Sequence, residues 1–169
     1  TGAQLKYHAF LSYMITGQLK RAAEIYRMLK TRVRRLGPEQ RIKLLREAKR
    51  LFADTPQTCS RMIEDGIRLA NGLKTGKVKW QYLFYCDQVF FHCFGNGNAR
   101  EALALADATE DRFRGIKDRS LSHYVKGMIY WALNRFEEAE KMLRLAEATV
   151  SNDARLACKI LSGRALALE

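Results

Sequence analysis

The segment GMIYWALNRFEEAEKMLRLAEA, Gly127 to Ala148, decides the fold. Its apolar residues recur at helical spacing on both sides of Asn134, and strand-like alternation is absent. Glu137, Glu138 and Glu140 open the second half, where the helix macrodipole favours acids. The segment predicts two helices, 118–133 and 135–149, joined by a short turn. So short a connection makes them antiparallel neighbours.

The same pattern occurs elsewhere in the chain. YMITGQLKRAAEIYRMLK (Tyr13 to Lys30) is a second copy, and GNAREALALADAT (Gly97 to Thr109) matches in its second helix. Gly17, Gly97 and Asn134 each sit in a turn, and Ala22, Ala102 and Ala139 follow five residues later. Gly97 and Asn134 are 37 residues apart, and Gly17 and Gly97 are 80 apart, or two such periods. The stretch between them has the length of one more, degenerate unit. Working outward, the helices are 4–15, 18–36, 39–53, 57–73, 79–95, 98–114, 118–133, 135–149 and 153–167. Breaks fall at Gly17, Gly37-Pro38, Asp54-Thr55-Pro56, Gly72 to Gly76, Gly95 to Asn98, Gly115 and Asn134. Helix 39–53 carries an apolar stripe of Ile42, Leu44, Leu45, Ala48, Leu51 and Phe52. Lys43, Arg46, Lys49 and Arg50 lie opposite, and Pro38 suits the first helical position. The expected class is all-α.

These residues resemble tetratricopeptide repeats. Gly127, Tyr130, Ala139 and Ala146 fit that family's small, aromatic, small and small positions. Tyr13, Gly17, Ala22 and Tyr26 fit in the first repeat, with Leu29 where the family has a last small residue. Phe10 and Cys93 depart from the pattern, no proline closes a repeat, and the period exceeds the family's ~34 residues. The divergence is similar to that of repeats in bacterial regulators, such as maltose-activator-like transcription factors and peptide-sensing regulators. The resemblance implies a right-handed superhelix of antiparallel helix pairs over a single domain, 1–169. The repeats would be 4–36, 39–73, 79–114 and 118–149, closed by a capping helix at 153–167. It also implies a concave groove lined by Tyr7, Leu11 and Met14; Asp87, Phe91 and Phe94; and Tyr124, Met128 and Trp131. An aromatic, Met-rich groove suits an apolar peptide or a partner helix. The same spacing also suits packing between helices.

The charge is uneven. The chain has 30 basic and 18 acidic residues, a net +12. Residues 20–50 carry twelve of the cations against Glu24, Glu39 and Glu47. Arg27, Arg32, Arg34, Arg35, Arg41, Lys43, Arg46 and Arg50 form a candidate patch for an anionic partner, nucleic acid or acidic protein. Only Tyr26 supplies an aromatic there, so base stacking is not indicated, and no helix-turn-helix is evident. Nucleic-acid binding through 20–50 is the alternative to a protein- or peptide-binding module.

Other chemistry finds little support. Cys59, Cys86, Cys93 and Cys158 form no CxxC pair and read as reduced, structural thiols of a cytoplasmic protein. His92 and Cys93 are adjacent and point apart on a helix, so no metal or cofactor site is expected. GxSxG and HExxH are absent, and Asp87 lacks a catalytic companion, so an enzyme is not expected. GNGNAR (Gly95 to Arg100) lacks the P-loop lysine and reads as a turn capped by Asn98. The run Trp80 to Phe94 is too short and polar to span a bilayer, and Thr1 to Lys30 is not a signal peptide. Thr1 is not an initiator Met, Leu168-Glu169 reads as native or as residual tag sequence, and helix 153–167 lacks a partner. The chain thus reads either as a solenoid cut out of a longer protein or as one closed by a capping helix, and both readings are compatible with an effector or DNA-binding domain outside it.

Overall fold

The computed structural model describes residues 2–151 and 153–168; Thr1, Asn152 and Glu169 lie outside them. The expectation about the two ends, at Thr1 and Glu169, therefore lies partly outside the described residues. Nine α-helices run in order, with no strand among the described residues: α1 (Gly2–Ile15), α2 (Leu19–Lys30), α3 (Pro38–Ala48), α4 (Pro56–Asn71), α5 (Lys77–Phe94), α6 (Ala99–Arg112), α7 (Ser120–Ala132), α8 (Phe136–Thr149) and α9 (Ala154–Leu168). No helix of the described residues is long and apolar enough to cross a membrane. Contacts divide the chain into two compact units, residues 1–84 and 85–169.

Three turns share one backbone path. Gly17, Gly97 and Asn134 adopt left-handed φ of 72°, 70° and 57°. Each is followed by an N-cap of nearly constant shape: Gln18 at φ −79°, ψ 63°, Asn98 at −109°, 73°, and Arg135 at −99°, 70°. The N-cap carbonyl then accepts the first bond of the next helix from Ala22, Ala102 or Ala139, at 3.0, 3.0 and 2.9 Å. All three alanines are fully buried, at 0% exposure. The fourth, degenerate turn keeps the second half of this path. Thr55 is the N-cap (φ −128°, ψ 79°), its carbonyl accepts from Cys59 N–H at 3.0 Å, and Cys59 is buried where the others have alanine. It lacks the left-handed residue, because among the described residues Asn134 is the only non-glycine with positive φ.

Two predicted helices end early. The expected helix 18–36 stops at Lys30 and gives way to a 3-10 turn, Val33–Arg35. Thr31 Oγ1 donates to the Met28 carbonyl at 3.1 Å. β-Branched Thr31 and Val33 and the like charges of Arg32, Arg34 and Arg35 disfavour another helical turn. The expected helix 39–53 is α-helical to Ala48 and 3-10 from Lys49 to Phe52. Pro38 occupies the first turn of α3 as expected, and Gln40 Oε1 accepts from Gly37 N–H at 3.1 Å.

In the first unit, Phe10, Met14, Leu29, Leu36 and Leu44 form the centre of the core, with Tyr26 resting on Phe10 and Phe52. Gly66 lets Phe84 in: a Cβ on Gly66 would lie 2.1 Å from the Phe84 ring. In the second unit, α7 and α8 approach closely at Gly127, where a Cβ would meet Leu143 Cγ at 2.7 Å and the Ala139 carbonyl at 3.2 Å. Gly163 of α9 packs between Met128 and Leu143.

Gly127→Val therefore forces two branched side chains into one space, and urea denaturation should show a loss of about 2 kcal/mol. Adding Leu143→Ala to the same chain should recover part of that loss, since it removes the atoms that clash.

Candidate functional site

The expected groove residues separate into buried and accessible sets. Tyr7 and Met14 are 4% and 2% exposed, inside the first unit's core, and cannot line an accessible groove. That corrects the expectation for these two: helical spacing places them toward α2 and α3, which cover them. Leu11 is half-buried against the same core. Asp87 is half-buried and partnered, and Phe91 is half-buried against Gly95. Phe94 is 41% exposed, yet its ring lies 4.6 Å from that of Phe90.

Tyr124, Met128 and Trp131 do share a site, on α7 facing α9. Tyr124 and Met128 line an open crevice of about 220 Å³ together with Cys158, Lys159, Ser162, Gly163 and Leu166 of α9. Trp131 braces one end of it, donating from Nε1 to the Leu166 carbonyl at 3.1 Å. Tyr124 is backed by Phe90, whose ring stacks on it at 6.4 Å and 14°. Burial raises the Tyr124 pKa, so its hydroxyl stays protonated at neutral pH. Gly163 keeps the floor of the crevice low, as a Cβ there would lie 3.1 Å from Met128 Sδ. The wall supplied by α9 was not anticipated. A glycine within an otherwise helical segment, at Gly163, was the signal for close helix approach.

A charge cluster around the buried Lys126, also unanticipated, joins α7 to α6. Lys126 Nζ lies 2.8 Å from both Asp107 Oδ1 and Glu110 Oε2. Burial works against its ammonium, but the hydrogen bonds and charges of Asp107 and Glu110 outweigh that, and its pKa is raised. Glu110 Oε1 and His123 Nδ1 are buried without a hydrogen-bond partner. The sequence hint was Lys126 itself, a lysine between Val125 and Gly127 on an apolar helix face.

The basic stretch is also resolved into two groups. Arg41 Nε is spent on the Leu36 carbonyl at 2.9 Å, Arg50 lies 3.5 Å from Glu47, and Arg46 is half-buried and partnered. Arg41 and Arg46 on α3 are therefore engaged locally, while Arg50, in the 3-10 turn after α3, stays exposed beside Glu47. Arg27, Arg32, Arg34, Arg35 and Lys43 are exposed.

None of the four cysteines is in a disulfide; Cys59, Cys86 and Cys93 are buried, while Cys158 is exposed at the crevice. Among the described residues, no three His, Cys, Asp or Glu side chains form a group that could hold a metal ion. In GNGNAR, Asn98 Oδ1 accepts from Glu101 N–H at 3.3 Å, the capping bond expected of it.

His123 generates a pH prediction. Burial lowers its pKa, with Arg119 and Lys126 adding to the effect, against Glu110 and a hydrogen bond to the Leu145 backbone. The unfolded chain takes up this proton near pH ~6.5, and the folded chain only at lower pH. Stability should therefore fall as pH drops below that value. Melting temperatures across pH 7 to 5 should fall less for His123→Gln than for the wild type.

Comparison with protein-family models, curated proteins and solved structures found no match. The functional reading therefore rests on the residues themselves.

Proposed function

We propose that this chain is a protein- or peptide-recognition module that seats an apolar side chain of its partner between α7 and α9. The observation that carries this is the crevice itself, lined largely by the apolar surface of Tyr124, Met128, Gly163 and Leu166. Its volume of about 220 Å³ is below the ~300 Å³ of ordinary small-molecule pockets and suits a single large side chain. Met128 is flexible and polarizable, so it can adjust to aromatic or branched aliphatic anchors. Tyr124 adds a rigid, amphipathic wall of the kind enriched at recognition surfaces.

The mechanism is passive. Packed helices hold the crevice open, and the partner gains by desolvating one anchor there. The finer arrangement we propose is the right-handed superhelix of the tetratricopeptide-like repeats that the chain resembles. The turn path shared by Gly17, Gly97 and Asn134 supports it. In that setting the module serves as a sensory or assembly part of a bacterial regulator.

Selection of displayed random peptides on the full chain tests the reading. Peptides with a recurrent aromatic or branched aliphatic anchor should be enriched. Ser162 is exposed at the crevice mouth, so Ser162→Trp should fill the space while leaving helicity and melting unchanged. Affinity for the selected peptides should drop at least about tenfold, the worth of one well-buried anchor. An absence of enrichment, or equal affinity for the filled variant, would remove the proposal.

A further inference from the structure

Cations are placed differently along the chain. Among residues 85–169, Arg114 pairs with Asp111 at 2.9 Å, Arg135 with Glu138 at 2.8 Å, and Arg144 with Glu140 at 2.7 Å. Lys126 is held by two carboxylates. The connection from α2 to α3 is the opposite case. Arg27, Lys30, Arg32, Arg34 and Arg35 are all exposed, and among the described residues none of their side chains has a hydrogen-bond or ion-pair partner. No acidic residue stands between Glu24 and Glu39.

This is a built surface, not a loose tail. Val33 packs against the core and Leu36 is buried within it, so the chain is pinned on both sides of the 3-10 turn. The residues between and beside them, Arg32, Arg34 and Arg35, are left facing water. Arg27 and Lys30 extend the same charge back along the last turn of α2, where the carbonyl end of the helix favours cations. Mutual repulsion among five cations persists in the free protein and is relieved only by an anionic partner.

From this face we infer a second binding activity: it grips the phosphate backbone of double-stranded DNA without reading its sequence. Four of the five groups are guanidinium forks, which match phosphate oxygens two at a time. A protein partner would ask for an aromatic or apolar centre, and the patch exposes only Met28. A single strand would ask for stacking platforms, but no Phe, Tyr or Trp is exposed among the described residues of the first unit. An RNA duplex would ask for groups that engage its 2′-hydroxyls. Modules that do so span about 16 base pairs across two successive minor grooves, whereas Arg27 to Arg35 lie on one helix end and the turn after it.

Fluorescence anisotropy with a labelled DNA duplex of about 20 base pairs, across a salt series, tests this on the full chain. With five phosphates neutralised, log K should fall against log salt with a slope of about −4.5, roughly 500-fold between about 50 and 200 mM. The triple variant Arg32→Gln, Arg34→Gln, Arg35→Gln should lose about 2.7 units of that slope. Its circular dichroism melt should be unchanged, since none of the three has a partner to lose. Arg135→Gln with Arg144→Gln should leave binding as it was, and so should Ser162→Trp, which separates this site from the peptide crevice. The inference fails if the duplex does not bind at the lowest salt, or if the triple variant keeps the wild-type slope. It also fails if an RNA duplex, a single strand, polyglutamate or phosphatidylserine vesicles compete better than the DNA duplex at equal charge.

Discussion

The chain turns back between helices on a short backbone path that is followed, four places after the N-cap, by a fully buried small residue. The path runs through Gly17-Gln18, Gly97-Asn98 and Asn134-Arg135, and Ala22, Ala102 and Ala139 lie buried in the first turn of the helix that follows. A larger side chain at Ala22, Ala102 or Ala139 would hold the helices apart and leave the cores on either side unfilled. The left-handed residue and the alanine act as a unit: one sets the direction of the return, and the other lets the surfaces meet. At Gly127 the first helix of the pair answers with a small residue of its own, and Leu143 fills the space.

Charge is handled in two ways on this scaffold. Around α6, α7 and α8, basic groups meet carboxylates within helices or across them, and one lysine is drawn inside by two of them. In the last turn of α2 and the turn that follows it, the positive side chains of Arg27, Lys30, Arg32, Arg34 and Arg35 face water unpaired. Exposed ion pairs contribute little stability each, so the first pattern does not by itself explain the fold. The second leaves like charges side by side, a repulsion that the proposed anionic partner would relieve. Apolar recognition at the α7–α9 crevice and ionic recognition at the α2–α3 connection would differ in their response to salt.

Most of the fold was legible because it is written locally. The turn and alanine spacing involves five residues, and the apolar stripes of α3 and α8 declare their period within two turns of helix. Where prediction failed, the deciding facts were distant in sequence. Tyr7 and Met14 carry the same spacing whether a neighbouring helix covers them or not, and α2 and α3 cover them. The crevice needs α9 against α7, a contact spanning 35 residues at Trp131 and Leu166. The bond from Lys126 to Glu110 spans 16 residues, and no local pattern encodes it. The end of α2 was missed for a different reason. Side-chain bonding by Thr31 and like-charge crowding ended a helix whose apolar period continued.

Short returns between helices also bear on how the chain reaches this state. The turns from α1 to α2, α5 to α6 and α7 to α8 take only three or four residues, so little loop entropy is spent before packing begins to repay it. Contacts within a pair are near in sequence, the condition under which small helical proteins fold in microseconds to milliseconds. A hairpin with its own turn and its own alanine can form before its neighbours do. Folding of such a chain spreads from several local starting points rather than waiting on one distant encounter.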